Sequence, residues 1–292
     1  MQILGYMHRE GIKPRAGKNS FLPALLIAAL FACVPAYSQS YRETVTAATA
    51  LLENKDYDGA IAGYEKALAM DSLNSMNDMI YANLALAYMK KGNAGRVEDV
   101  YRKALARNPQ SKMLLLRRAD FYLTQGKEDK ALRDYNEVLA KDSADTEALF
   151  FRAYILTGKK KYNLARKDYY TILAADPDNE KAQFALALLY AREREDNKAM
   201  LLLDNLIERN PANPEYYLAC SNIEKSGKRY ELALIYIDEG IKSCKERNAL
   251  NMEKAELLVA MDRCDEARRV LNALTIAGYS SPRMKTLYKK CR

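Results

Sequence analysis

The feature that most constrains this chain is a period of 34 residues. From residue 112 onward a small side chain recurs at Ala119, Ala153, Ala187, Ser221 and Ala255, and a second follows twelve residues later at Ala131, Ala165, Ala199, Ala233 and Ala267. Ala85 with Val97 keeps the same register, and Ala48 with Ala60 keeps it after one three-residue insertion at about Ser75–Asn77. The spacing predicts seven copies, at 41–74, 78–111, 112–145, 146–179, 180–213, 214–247 and 248–281. A period this short cannot build a separate core in each copy. Each copy must be one supersecondary unit that buries its apolar face on its neighbours.

One copy reads as a helical hairpin. In the second, Tyr81, Leu84, Ala85 and Tyr88 fall at helical spacing before Lys91-Gly92-Asn93 breaks the run. Val97, Val100, Tyr101, Ala104 and Leu105 then rebuild an apolar stripe that Asn108-Pro109 ends. Small residues at the eighth and twentieth places let two antiparallel helices approach closely. Composition agrees: 12 Gly and 8 Pro in 292 residues are too few for a turn-rich sandwich, and 49% hydrophobic residues suffice for a core.

Three stretches carry a resemblance. Ala60-Ile61-x-x-Tyr64-x-x-Ala67-Leu68, Tyr101-x-x-Ala104-Leu105-x-x-x-Pro109 and Asp176-Pro177-Asp178-Asn179 resemble the tetratricopeptide repeat family. The resemblance implies an all-α, right-handed superhelical solenoid of about seven hairpins over 39–292, whose first helices line a concave groove that binds a protein or peptide. Departures fall late: Gly240 takes the usual Ala position of copy six, and Lys245 and Tyr279 replace the closing Pro, so less regular packing is expected there. Residues 282–292 read as a cap helix with Pro282 in its first turn, covering the last apolar face.

The N-terminus reads as an export signal. Arg9, Lys13, Arg15 and Lys18 precede an apolar run from Phe21 to about Val34, and Ala36-Tyr37-Ser38 offers a cleavage site before Gln39. Residues 1–38 are therefore expected to be a signal peptide, placing the mature chain in the periplasm of a bacterium with two membranes. Leu30-Phe31-Ala32-Cys33 also resembles a bacterial lipobox, and lipidation at Cys33 would make the chain an outer-membrane lipoprotein. Cleavage leaves 42 Lys+Arg against 37 Asp+Glu, interspersed along the chain, which does not suggest nucleic-acid binding.

Catalytic signals are absent. The single histidine, His8, lies in the leader, no glycine-rich phosphate loop occurs, and the carboxylate pairs Glu128/Asp129 and Glu193/Glu195 sit in charge-mixed turns. Asn54-x-Asp56-x-Asp58-Gly59 with Glu65 approaches a calcium-loop pattern, but the repeat register places most of it inside a helix, where side chains radiate instead of converging. No metal, cofactor or enzymatic activity is expected. Four cysteines survive cleavage and allow three pairings. Cys264 opens the second helix of copy seven and Cys291 ends the cap helix that packs there, so a Cys264–Cys291 disulfide is expected; Cys244 lies at the far end of a hairpin, and Cys220 reads as a buried thiol.

In the family the second, fifth, ninth and twelfth places of each copy face the groove. Copies two to five place Met79, Ala82, Leu86 and Met89, then Met113, Leu116, Asp120 and Leu123, then Glu147, Phe150, Tyr154 and Thr157, then Lys181, Phe184, Leu188 and Ala191. The apolar members, Met79, Ala82, Leu86, Met89, Met113, Leu116, Leu123, Phe150, Tyr154, Phe184 and Leu188, form the expected partner-binding groove. The alternative is that part of this stripe packs on neighbouring helices, or that the N-terminal segment folds back over it. The family's carboxylate clamp is not supported: Asn83 and Arg117 fill two of its places, but Val45, Thr49 and Met113 fill the others. The sequence points to a non-catalytic protein–protein interaction scaffold of the cell envelope. The alternative is a lipid-anchored structural component of an outer-membrane assembly complex, and acylation of Cys33 separates the two.

Overall fold

A computed structural model describes residues 36–291, with side chains from residue 39 onward. Residues 1–35, which hold most of the expected signal peptide and the candidate lipidation residue Cys33, lie outside the described residues. Every regular element described is an α-helix. They are α1 (Ala36–Glu53), α2 (Tyr57–Met70), α3 (Asn77–Lys90), α4 (Ala94–Arg107), α5 (Lys112–Thr124), α6 (Glu128–Lys141) and α7 (Thr146–Gly158). The order continues through α8 (Tyr162–Ala175), α9 (Glu180–Arg192), α10 (Asp196–Arg209), α11 (Pro214–Ser226), α12 (Tyr230–Ser243), α13 (Asn248–Ala260), α14 (Cys264–Ile276) and α15 (Pro282–Lys290). The chain forms two compact units that divide within α7, between Ile155 and Leu156.

In the first unit, α1 with α2, α3 with α4, and α5 with α6 pack as hairpins, each against the next. Phe151 of α7 stacks on Tyr135 of α6 with ring centroids 5.8 Å apart. In the second unit α8 packs on α9, and α9 with α10, α11 with α12, and α13 with α14 form successive hairpins closed by α15.

The small residues sit where the helices cross. Ala48, Ala85, Ala119, Ala153, Ala187, Ser221 and Ala255, with Ala60, Val97, Ala131, Ala165, Ala199, Ala233 and Ala267, are all 0% exposed, so none has room for a larger side chain. The joints repeat as strictly. The fifteenth residue of each copy, Lys55, Gly92, Gly126, Lys160, Arg194, Lys228 or Asp262, has φ between 59° and 74°. The N–H of the following residue bonds back to the carbonyl five places earlier, from Asp56 to Leu51 through Arg263 to Leu258, at 2.8–3.0 Å. This is the Schellman ending of a helix, in which a left-handed residue satisfies the orphan carbonyls. The first helices start from side-chain caps: Ser111, Asp145, Asn179 and Asn213, each 34 residues after the last, accept from backbone N–H groups at 2.8–3.4 Å.

The late departures are absorbed. Gly240 is buried, and a Cβ there would lie 2.8 Å from Cγ of the fully buried Tyr217, whose ring fills the space of the missing methyl. Copy six therefore stays in register. At the other end, the insertion before α3 folds into a loop held by Asn77, which accepts from the Tyr41 hydroxyl at 2.9 Å and donates to the Asp71 carbonyl at 2.8 Å. The cap helix α15 begins 34 residues after α13, in the register of an eighth first helix. Met284 and Leu287 lie on Met252, Ala255, Leu271 and Leu274. In the structure Cys264 and Cys291 are joined by a disulfide, Cα atoms 5.1 Å apart, while Cys220 and Cys244 are buried thiols.

Two substitutions probe the crossing and the joint. Ala131→Leu should overpack its fully buried site and lower the unfolding free energy by about 1–3 kcal/mol. Lys160→Gly should raise it by about 0.5–1 kcal/mol, because a left-handed lysine is replaced by the residue that adopts φ near 60° without penalty. Urea denaturation of both variants against the parent chain measures each effect.

Candidate peptide-docking face

The first helices of the first unit, α1, α3, α5 and α7, present a face whose floor is set by the second helices. The twenty-fourth residue of the first three copies is Tyr64, Tyr101 or Tyr135, and each ring is fully or almost fully buried. A tyrosine that crosses the hairpin interior delivers its hydroxyl to the first-helix side, where it needs a partner. Tyr64 meets Thr49 Oγ1 at 3.1 Å, and Asn83 also hydrogen-bonds that hydroxyl. Tyr135 donates to Asp120 Oδ1 at 3.0 Å. Thr49 and Asp120 both hold the ninth place, so the same geometry recurs with a different partner.

Apolar side chains stand above this floor. Met79 and Met113 are exposed, 42% and 37% respectively, while Ala82, Leu86, Met89, Leu123, Phe150 and Tyr154 are half-buried. Three members of the expected stripe differ: Leu116, Phe184 and Leu188 are buried and offer no open surface. Phe184, in the second unit, lies against Tyr216 of the next first helix with ring centroids 5.1 Å apart. Packing between first helices has taken Phe184, and with Leu188 also buried the accessible stripe belongs to the first unit. The second unit's face beside the cap carries charges instead: Lys225 pairs with Glu253, and Arg283 with Glu256 at 3.3 Å.

Asp120 is the residue that apolarity alone passes over. It is 5% exposed, yet carries a carboxylate in the midst of the stripe. Arg117 Nη1 approaches its Oδ2 at 3.4 Å and also faces Glu147 Oε1 at 3.7 Å. Burial pushes the Asp120 carboxyl up to about 7, with repulsion from Glu147 adding, while the Tyr135 hydroxyl and Arg117 pull it back. Burial and the neighbouring Asp120 in turn raise the Tyr135 phenol well above its usual range. The only advance signal was positional: an Asp where the other copies of this unit carry Thr49, Leu86 or Tyr154.

The sequence's other chemical candidates have ordinary roles. Asp56 caps α2, its Oδ1 accepting from Gly59 N–H at 2.9 Å, and Asp58 pairs with Lys91. Glu128 and Asp129 occupy the first turn of α6. Glu193 accepts from Arg166 at 2.7 Å, and Glu195 pairs with Lys198. Burial, the largest cause, drives the Cys220 thiol far above its usual range, which suits an inert core thiol.

Tetratricopeptide repeat profiles match residues 45–112, 82–146 and 116–180, and a second such profile matches residues 156–223. The matches run unbroken from 45 to 223, more than half of the chain, and the chain belongs to the tetratricopeptide repeat family. The fold is one of protein–protein interaction scaffolds, generally without catalysis. A tetratricopeptide repeat protein from Parabacteroides merdae superposes with a TM-score of 0.69 at 21% identity, over 87% of this chain and 99% of its own. PilW, a type IV pilus biogenesis factor, gives 0.60 at 17% identity over 73% and 99%. YrrB, a tetratricopeptide repeat protein with an unusual peptide-binding site, gives 0.51 at 21% identity over 65% and 98%. At these identities the likeness is one of fold. No curated protein is significantly similar in sequence.

The Asp120 environment has a signature in stability. Its carboxyl binds a proton more tightly in the folded chain, at about 7, than in the unfolded chain near the ordinary 3.8, so this group makes folding less favourable as pH rises between those values. Asp120→Asn should remove that loss, stabilising the chain at pH 8 by on the order of 4 kcal/mol while leaving it nearly unchanged at pH 4. Thermal melts of both proteins across that range give the comparison.

Proposed function

We propose that this chain is a non-catalytic scaffold of the bacterial cell envelope that binds a segment of a partner protein along the first-helix face of its first unit. The observation that carries the reading is the run of open and half-open side chains from Met79 through Leu86, Met89, Met113 and Leu123 to Phe150 and Tyr154. Two exposed methionines stand beside this row, and flexible thioethers suit a surface that must accommodate a partner. Burial of that row on an apolar helix or extended segment supplies the driving force, and the polar floor of Thr49, Asn83 and Asp120 can meet the segment's own polar groups.

Placement in the envelope rests on the leader-like residues 1–38. Among the described residues, no helix is long and apolar enough to cross a membrane. A second reading, a lipid-anchored structural component of an outer-membrane assembly complex, draws on Leu201, Leu232 and Ile235, large apolar residues exposed on the second helices α10 and α12. In that case acylated Cys33 and the second helices carry the function, and the first-helix face does not.

The test is photo-crosslinking in envelope extract with the parent chain and a Met79→Glu, Met113→Glu double variant. Both positions are exposed, so the variant should keep its helical circular dichroism. Its capture of the partner segment is expected to fall roughly tenfold or more, since a carboxylate must be desolvated at each site. Equal capture by both proteins would move the binding surface to the second helices and favour the anchored component.

A further inference from the structure

We infer that the partner segment carries a lysine or arginine whose cation seats between Asp120 and Glu147; this rests on the docking reading above and names the chemistry of the partner. Two carboxylates of the same hairpin, α5 with α6, are treated differently by their surroundings. Asp134 is buried and fully answered: Arg118 Nε donates to its Oδ2 at 2.8 Å and Arg118 Nη2 to its Oδ1 at 2.6 Å, a two-bond pair. Asp120 is as deeply buried, but its cation is divided. Arg117 stands 3.4 Å from Asp120, at the outer limit of hydrogen bonding, and 3.7 Å from Glu147, an ion pair beyond that limit, so one guanidinium is divided between two carboxylates.

The groups that face Asp120 are few. Arg117 comes from its own helix, the Tyr135 hydroxyl from α6, Glu147 from α7, and the buried Tyr101 phenol from α4. With Asp120 ionised, one positive side chain faces two negative ones, and the constellation is short of one positive charge. A residue whose only task was to fill the ninth place would be apolar, as Leu86 is, or a neutral hydroxyl, as Thr49 is. Glu147, at about the same exposure as the stripe's methionines, gives a cation from outside a route to the pair.

The surroundings decide how much such a contact is worth. Exposed ion pairs contribute little, because water screens them. Here Met113, Phe150 and Tyr154 belong to the same face, and a segment lying on them excludes water from the carboxylates, which strengthens attraction to a cation. The same site repels an acidic segment, so it selects against one class of partner as well as for another.

Selection of a random twelve-residue peptide library, displayed on phage, against the full chain at pH 8 tests the inference. Enriched peptides should combine apolar residues with a recurrent Lys or Arg. The best of them, synthesised, should bind the parent chain about tenfold or more tightly than its Lys→Gln form, and Asp120→Asn or Glu147→Gln should remove most of that difference. Affinity for the parent should fall as pH drops from 8 to 6, and Asp120→Asn should abolish the fall. Glu147→Gln, at a half-exposed site, keeps the test independent of any folding defect at Asp120. Enriched peptides without a basic residue, or with affinity indifferent to both substitutions, overturn the cation seat and leave docking intact. Failure to enrich any peptide, or enrichment unaffected by Met79→Glu with Met113→Glu, overturns the docking reading itself and the cation seat with it.

Discussion

The contact of one small side chain with another at the hairpin crossing governs the rest of the structure. Helix axes usually pass at about 8–10 Å, a distance set by the side chains at the contact. A buried alanine, serine or, once, valine at both crossing places of every copy favours the near end of that range. With the crossing repeated, the connection between the helices has little freedom, and the fifteenth residue is left-handed each time. Glycine meets that demand at Gly92 and Gly126. Lys55, Lys160, Arg194, Lys228 and Asp262 meet it at a local cost, so the crossing prevails over the conformational preference of the joint. The polar floor follows from the same contact. Helices held at constant separation bring each twenty-fourth residue to the same depth, which is why Tyr64 finds Thr49 and Tyr135 finds Asp120 by the same route.

The architecture was legible because its information is carried one position at a time. A small residue every 34 places, a cap such as Asn179 before a helix and a glycine such as Gly92 after one each speak for themselves, and their agreement leaves one fold class. The joints were half legible: glycine announces a left-handed turn, whereas Lys160, inside a run of three lysines, looks like an ordinary solvated loop. Register also gave the addresses of the face. It did not give depth. Leu116, Phe184 and Leu188 hold the same places as exposed or half-buried residues, and their burial depends on what a neighbouring copy supplies, such as Tyr216 against Phe184. Such pair terms link residues about one period apart and leave no trace in the identity of either residue alone.

Polar residues inside the hairpins show the same division more sharply. Arg118 and Asp134 could each pass for a surface residue in sequence, sixteen places apart, yet Asp134 is buried and the half-buried Arg118 satisfies it. A pair of this kind adds little stability over an apolar pair of similar volume, though loss of either member would strand the other. What it secures is register between the two helices of a hairpin, since a shift by one residue would separate the guanidinium from its carboxylate. The third copy thus combines two kinds of specification: shape at the alanine crossing and charge beside it.

Asp120 does not fit that scheme, and the mismatch carries the functional argument. A closed ion pair is indifferent to the outside, but a carboxylate that shares a guanidinium with a half-exposed neighbour is sensitive to whatever covers it. Neutral pH finds this group near its midpoint, because burial and Glu147 oppose ionisation while Tyr135 and Arg117 favour it. A covering apolar segment without a charge would remove water and drive the carboxyl toward its protonated form. A covering segment that brings a cation would hold it ionised and gain the attraction. On the docking reading the face would distinguish two partners of equal hydrophobicity by an interaction that only the second can complete, and the stability that Asp120 costs the unliganded chain at high pH would be regained in that complex.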